Sequence, residues 1–273
     1  EWMLWLPLAF VYGLIPVLDF LFPNDRSNPP EPIVPQLERD RYYRLLNYLA
    51  VPLHVVVLVC GAWFLASHDL GWSGFLALSL LVGAASGIGI NTGHELGHKK
   101  SVLDQWAARM VLAVPAYGHF TMEHNVGHHR EVATPEDSAS ARFGESIYRF
   151  ALREIPGGVR RGWRLESERL QRRGYRTWSW RNEILQSYAL SVLLYGGLLL
   201  AFGVMWPDNR IFLLFFPVPI KAKWFVLIYG GIELLLGFSR TMPGIAHFAH
   251  LGGMLFGALL LYRWGWRPGM TWR

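Results

Sequence analysis

The sequence predicts an all-α, polytopic membrane protein: a transmembrane helix bundle with a histidine-rich site at the cytoplasmic membrane face. Three observations predict it. The 273-residue chain is 52% hydrophobic and 15% aromatic but only 17% charged, with 13 tryptophans, the residue that lines membrane interfaces. Several apolar runs approach the ~20 residues needed to cross a bilayer. Five histidines fall within 36 residues, in two clusters that each directly follow an apolar stretch.

The elements follow from the runs in order. Spans are expected near 2–22, 45–66, 70–92, 184–206, 224–238 and 244–264. The chain opens inside the first run with an acidic residue, so no cleavable signal peptide is expected there. Asp19 stands near the end of that run, at the interface. A Pro-rich connector, Asn24–Pro35, joins the first two spans. His54 reads as a bundle-facing structural group. The lone Cys60 cannot form an internal disulfide and reads as a buried, inert thiol. The stretch 106–121 is apolar but holds Pro115 and is too short for a span; it is expected to form a re-entrant or interfacial hairpin. Lys99, Lys100 and the second histidine cluster then share one side of the membrane.

Charge orients the chain. Eleven arginines lie between Arg142 and Arg181. By the positive-inside tendency the segment 130–183 is cytoplasmic. Its arginines serve as membrane-surface charge or as a docking face for an acidic electron-transfer partner. No recognition module accompanies them, so nucleic acid is not an expected partner.

The clusters carry the chemistry. In His94-Glu95-Leu96-Gly97-His98 the four-residue spacing puts both rings on one helix face. The second cluster is His124-Asn125-Val126-Gly127-His128-His129. Neutral imidazole is the commonest protein ligand for a transition metal. His94-Glu95-x-x-His98 also fits a zinc-hydrolase pattern with Glu95 as general base. Five clustered histidines exceed what one zinc needs; two metal ions in a histidine-rich bed fit better, and iron is suited to imidazole. His119, between the clusters, reads as an interfacial histidine or a sixth ligand.

HELGHKK, EHNVGHH and REVATPEDSASARFGES resemble the membrane alkane 1-monooxygenases, within the fatty-acid hydroxylase and desaturase group. The resemblance covers about 1–203. It implies a non-haem di-iron centre in a bacterial inner membrane, facing the cytoplasm. It also implies terminal hydroxylation of medium-chain alkanes with O₂ and electrons from a rubredoxin. His94, His98, His124, His128 and His129 then resemble iron ligands. Glu95 and Glu123 become groups that hydrogen-bond to ligating histidines, and the apolar helices before the clusters form the alkane channel. The family's later motifs, N-Y-x-E-H-Y-G and H-x-x-H-H, are absent after residue 203. Five of about nine histidines are matched, and impaired activity is expected.

The segment 198–264 resembles the last two helices of bacterial rhomboid proteases, through FFPVPIKAKWFVLIYGGIELLLGF and AHFAHLGGMLFG. The chain is therefore expected to be a hybrid of domains 1–203 and 204–273. In rhomboids the histidine matching His250 is a general base, but the nucleophile position falls on Val192, with Ser191 beside it. His247 and His250 either complete a metal site or pack as buried polar groups against glycines, and Glu233 is a potential partner for either. Three readings stand beside the oxygenase: a rhomboid-like serine protease fragment without its serine, a zinc metalloprotease, and a catalytically inactive hybrid. The basic segment and Lys221–Lys223 cannot both be inside if 184–206 crosses once.

Overall fold

A computed structural model describes residues 1–22, 27–213 and 216–239. The chain divides into two compact units, Glu1–Pro115 and Ala116 onward.

The first unit begins with α1 (Trp2–Leu21), apolar but for Asp19 and containing a π turn at Phe10–Leu14. Its start is tied to the head of α4: the Glu1 carboxylate accepts from the Gly71 amide at 2.7 Å, and Trp5 Nε1 donates to Ser73 Oγ at 3.1 Å. In the described part of the Pro-rich connector a 3-10 turn at Glu31–Ile33 leads into the short α2 (Val34–Arg39). Asp40 caps α3 (Arg41–Ser67), its side chain accepting from the Tyr42 amide. Leu45, Leu49, Leu53, Val56 and Trp63 of α3 are exposed; in a bilayer that face meets lipid tails. α4 (Trp72–Gly97) buries a small-residue face that includes Gly89, Gly93 and Gly97. A Cβ on Gly93 would stand 2.6 Å from Leu112, and one on Gly89 would stand 2.7 Å from the His54 ring. The four-residue glycine spacing thus lets neighbouring helices approach closely, and His54 packs as structure.

α5 (Val102–Ala113) starts four residues before the predicted apolar stretch because Ser101 caps it, accepting from the Asp104 amide at 3.2 Å. Buried Asp104 accepts from Tyr48 Oη at 2.5 Å and pairs with Arg44 at 2.8 Å. This locks the head of α3 to the head of α5. A turn follows α5, and in it Ala116 adopts a positive φ of 54°.

The second unit opens with α6, made of Phe120–Met122, a π turn Glu123–His128 and His129–Glu131. A loop leads to α7 (Ile147–Arg172), whose buried face holds Gly158, Arg161, Gly162, Leu165, Glu166 and Leu170. Met122, Leu165 and Ile184 form its apolar core, flanked by Trp163 and Tyr188. α8 (Glu183–Met205) is capped by Asn182, whose Oδ1 accepts from the Ile184 and Leu185 amides at 2.9 and 3.0 Å. Fully buried Glu166 accepts from the Glu183 amide at 2.7 Å, a favourable charge at a helix N-terminus.

Four described helices are long and apolar enough to cross a membrane: α1, α3, α4 and α8. They match the first three expected spans and 184–206, so the chain is a multi-pass, helical membrane protein. One feature departs from expectation: a β-hairpin, β1 (Arg210–Leu213) with β2 (Phe216–Lys221), follows α8, pairing Arg210 with Lys221. The helix α9 (Ala222–Ser239) covers the expected span 224–238. The span 244–264, His247, His250 and the Glu233 side chain lie outside the described residues.

Candidate metal centre

The last turn of α4 carries the first histidine pair. His94 and His98 stand one turn apart with their Nε2 atoms 3.1 Å from each other and rings nearly perpendicular. Metal–imidazole bonds of about 2.1 Å at right angles separate neighbouring nitrogens by about 3 Å, so the pair is spaced as adjacent corners of one coordination shell. The turn holding His98 is clamped from α5. Gln105 Nε2 donates to the Gly97 carbonyl at 2.9 Å and to the Lys99 carbonyl at 2.5 Å. These bonds satisfy carbonyls that a helix end leaves open.

In the second unit the π turn explains the uneven spacing of the other cluster. On a regular α-helix, residues five apart sit about 140° apart in azimuth. The wider i→i+5 turn narrows that angle. His124 Nε2 and His129 Nε2 consequently approach to 3.0 Å, again the separation of adjacent ligands. His128 stacks on His124 with ring centroids 5.4 Å apart.

His128 is held by a carboxylate. Its Nδ1 lies 2.8 Å from Asp137 Oδ2, which also accepts from Ser140 Oγ at 2.5 Å. Asp137 and Arg161 are both buried. Arg161 Nη2 donates to Asp137 Oδ1 at 2.6 Å and to Glu123 Oε1, and Nη1 donates to the Glu136 carbonyl at 3.1 Å. Burial alone raises the Asp137 pKa, but hydrogen bonds from Ser140 and Arg161 outweigh it and bring the value down to about 2. Asp137 therefore stays ionised. The guanidinium fits because Gly127 leaves room: a Cβ there would meet Arg161 Nε at 3.0 Å.

Beside this network lies a second buried polar group. His119 is 2% exposed, with Nδ1 3.0 Å from Tyr188 Oη, and burial lowers its pKa to about 4. Tyr117 Oη donates to Glu154 at 3.3 Å. Burial raises the pKa of both Tyr117 and Glu154.

Within the first unit the structure brings together His94 and His98, and within the second His124, His128 and His129. His119 turns instead to Tyr188. The two carboxylates expected beside histidines point elsewhere: Glu95 pairs with Lys99 at 2.8 Å, an i,i+4 contact on a half-exposed face, and Glu123 is taken by Arg161. Asp137 was not singled out by sequence, although its position inside the REVATPEDSASARFGES motif was the available signal. Cys60 corrects an expectation: it is exposed on α3, not buried. A lipid-facing position is as apolar in sequence as a core position, so hydropathy does not separate them. Ser191 is buried in α8 and donates to the Ser187 carbonyl.

The sequence profile of the fatty acid desaturase family matches residues 70–272, including the stretch that resembles rhomboids. Alkane 1-monooxygenase of Pseudomonas putida is 50% identical over 245 residues, covering 90% of this chain and 60% of that protein. Alkane 1-monooxygenase 1 of Alcanivorax borkumensis is 50% identical over 228 residues, covering 83% of this chain and 55% of the relative. The hydroxylase component of xylene/toluene monooxygenase from Pseudomonas putida is 29% identical over 199 residues, 70% of this chain and 51% of the relative. The chain thus spans between half and two thirds of the length of these relatives. With the profile matched over most of its length, the chain belongs to the fatty acid desaturase family.

Proposed function

We propose that this chain carries five of the histidine ligands of an integral-membrane di-iron oxygenase that hydroxylates the terminal carbon of medium-chain alkanes. The observation that carries the reading is the pairwise approach of Nε2 atoms, His94 to His98 and His124 to His129, at the separation two ligands of one metal ion require. The two pairs together with His128 are the proposed iron ligands. Bound iron would supply O₂ activation; with two electrons from the donor protein and two protons from solvent, one oxygen atom would enter the C–H bond and the other would leave as water. The chain's own residues hold the imidazoles in place: Gln105 braces the turn that carries His98, and Asp137 holds His128.

An apolar substrate needs an apolar route. A cavity of about 680 Å³ lies between α1 and α4, lined by Trp5, Leu8, Ala9, Tyr12, Gly13, Ser79, Leu80, Gly83 and Ala84. It opens within the membrane-spanning part of both helices, where alkane partitions. We assign the alkane to this cavity. The arginine-rich α7 region faces the cytoplasm in this reading. Exposed Arg160 and Arg164, one turn apart, offer an acidic, rubredoxin-type electron donor a docking face.

Glu95 disfavours the zinc-protease alternative. A general base must reach the metal-bound water, whereas this carboxylate is paired with Lys99. Iron analysis of the purified protein, with octane oxidation to 1-octanol under a reconstituted donor, tests the oxygenase reading. Stoichiometric iron with terminal alcohol supports it. Less than one iron per chain rejects an intact di-iron site.

A further inference from the structure

Arg161 is 5% exposed yet fully charged, and it lies 38 residues from Glu123 and 24 from Asp137 in sequence. Burying a guanidinium costs several kcal/mol unless carboxylates and further acceptors surround it. Here both are present: Glu123 and Asp137 on Nη2, with the Glu136 carbonyl and Glu131 at 3.5 Å on Nη1. The same Asp137 that meets the guanidinium through Oδ1 meets His128 Nδ1 through Oδ2. Two oxygens of one buried carboxylate are therefore fixed from opposite sides.

We infer that Arg161 is a positioning residue for the metal centre: by clamping Asp137 it holds the His128 ring with Nδ1 donating to the carboxylate and Nε2 presented as a ligand. Both Asp137 oxygens already accept, Oδ1 from Arg161 Nη2 and Oδ2 from Ser140 Oγ, so the shared proton belongs on Nδ1 and the lone pair on Nε2. A carboxylate behind a ligating histidine also raises its basicity and fixes its orientation. Arg161 sits on α7 and is linked to His128 through Asp137. The inference rests on the reading of His128 as a metal ligand.

The test is Co(II) titration of the full-length apo-protein in nanodiscs, followed by the visible d–d spectrum, for wild type, Asp137→Asn, Arg161→Lys and Arg169→Lys. Arg161→Lys keeps a cation while losing the fork that spans Glu123 and Asp137. Arg169→Lys is the control: Arg169 sits on the same helix and grips buried Glu166 at 2.5 Å. The expected result is a 10- to 100-fold weaker Kd for Asp137→Asn and Arg161→Lys, roughly the loss typical when a ligand's hydrogen-bond partner is removed, with an altered spectrum. Arg169→Lys should leave Kd and spectrum unchanged. Wild-type affinity in both Asp137→Asn and Arg161→Lys overturns the positioning role while leaving the metal reading intact. An equal loss in Arg169→Lys also overturns it, because the effect is then general loosening of α7. Failure of the wild-type protein to bind Co(II) rejects the metal reading itself, and the positioning role with it.

Discussion

At the scale of single residues, burial decides what each titratable group can do. His119 is held neutral by an environment that water does not reach, and its pKa falls to about 4 from an ordinary 6.5. A group whose folded pKa is depressed contributes stability that is fully present above the unfolded value. That stability is lost as pH falls through the window from 6.5 to 4, and levels off below it. The shift corresponds to at most about 3 kcal/mol. Thermal unfolding between pH 7.5 and 4 should therefore show a fall in Tm that His119→Gln flattens; an unchanged slope in that variant would remove His119 as the cause. Glu154 works in the opposite sense, since burial raises its pKa, which is why the comparison with His119→Gln is needed. The ligand candidates themselves were legible because His-x-x-x-His has one geometric meaning on a helix. Asp137 and Arg161 were not, because their roles arise from contacts with partners up to 38 residues away.

At the scale of elements, hydropathy located the spans but not their ends. The start of α5 is set by Ser101 and the start of α8 by Asn182, caps that lie outside the apolar runs. The π turn of α6 was equally hidden: the sequence shows three histidines at uneven spacing, and only a wider helical turn reconciles them. The hairpin after α8 escaped because its second strand contains Pro217 and Pro219, and prolines argue against interior strands. The pairing of α1 with α4 leads to a prediction about size selection. Gly83 of α4 lines the apolar cavity, and a Cβ added to it would meet only open space. Gly83→Leu should fill that space without displacing a neighbour. The expected outcome is retained oxidation of shorter alkanes and at least a 10-fold loss for longer ones, read from product yields across a chain-length series. Equal loss at every length would argue that the alkane does not occupy this cavity.

At the scale of the whole molecule, the distribution of charge and the length of α8 constrain each other. α8 has 23 residues, about 34 Å of helix, enough for one crossing of a hydrocarbon core of about 30 Å. It begins just after the arginine-rich α7 region and ends before Asp208, which pairs with Lys221 at 3.0 Å and Lys223 at 2.7 Å. The two basic regions therefore fall on opposite faces if α8 crosses. The α7 side carries many more cations, and positive charge favours the cytoplasm. Lys221 and Lys223 share the one Asp208 carboxylate, which weakens their pull on topology. The prediction is that α7 lies inside and the hairpin outside. In a Cys60→Ser background, Arg172→Cys should react with a membrane-impermeant maleimide only in inverted vesicles, and Asn209→Cys only in right-side-out spheroplasts. Labelling of both sites from one side would mean that α8 does not cross, and the cytoplasmic placement of the histidine clusters would then need another anchor.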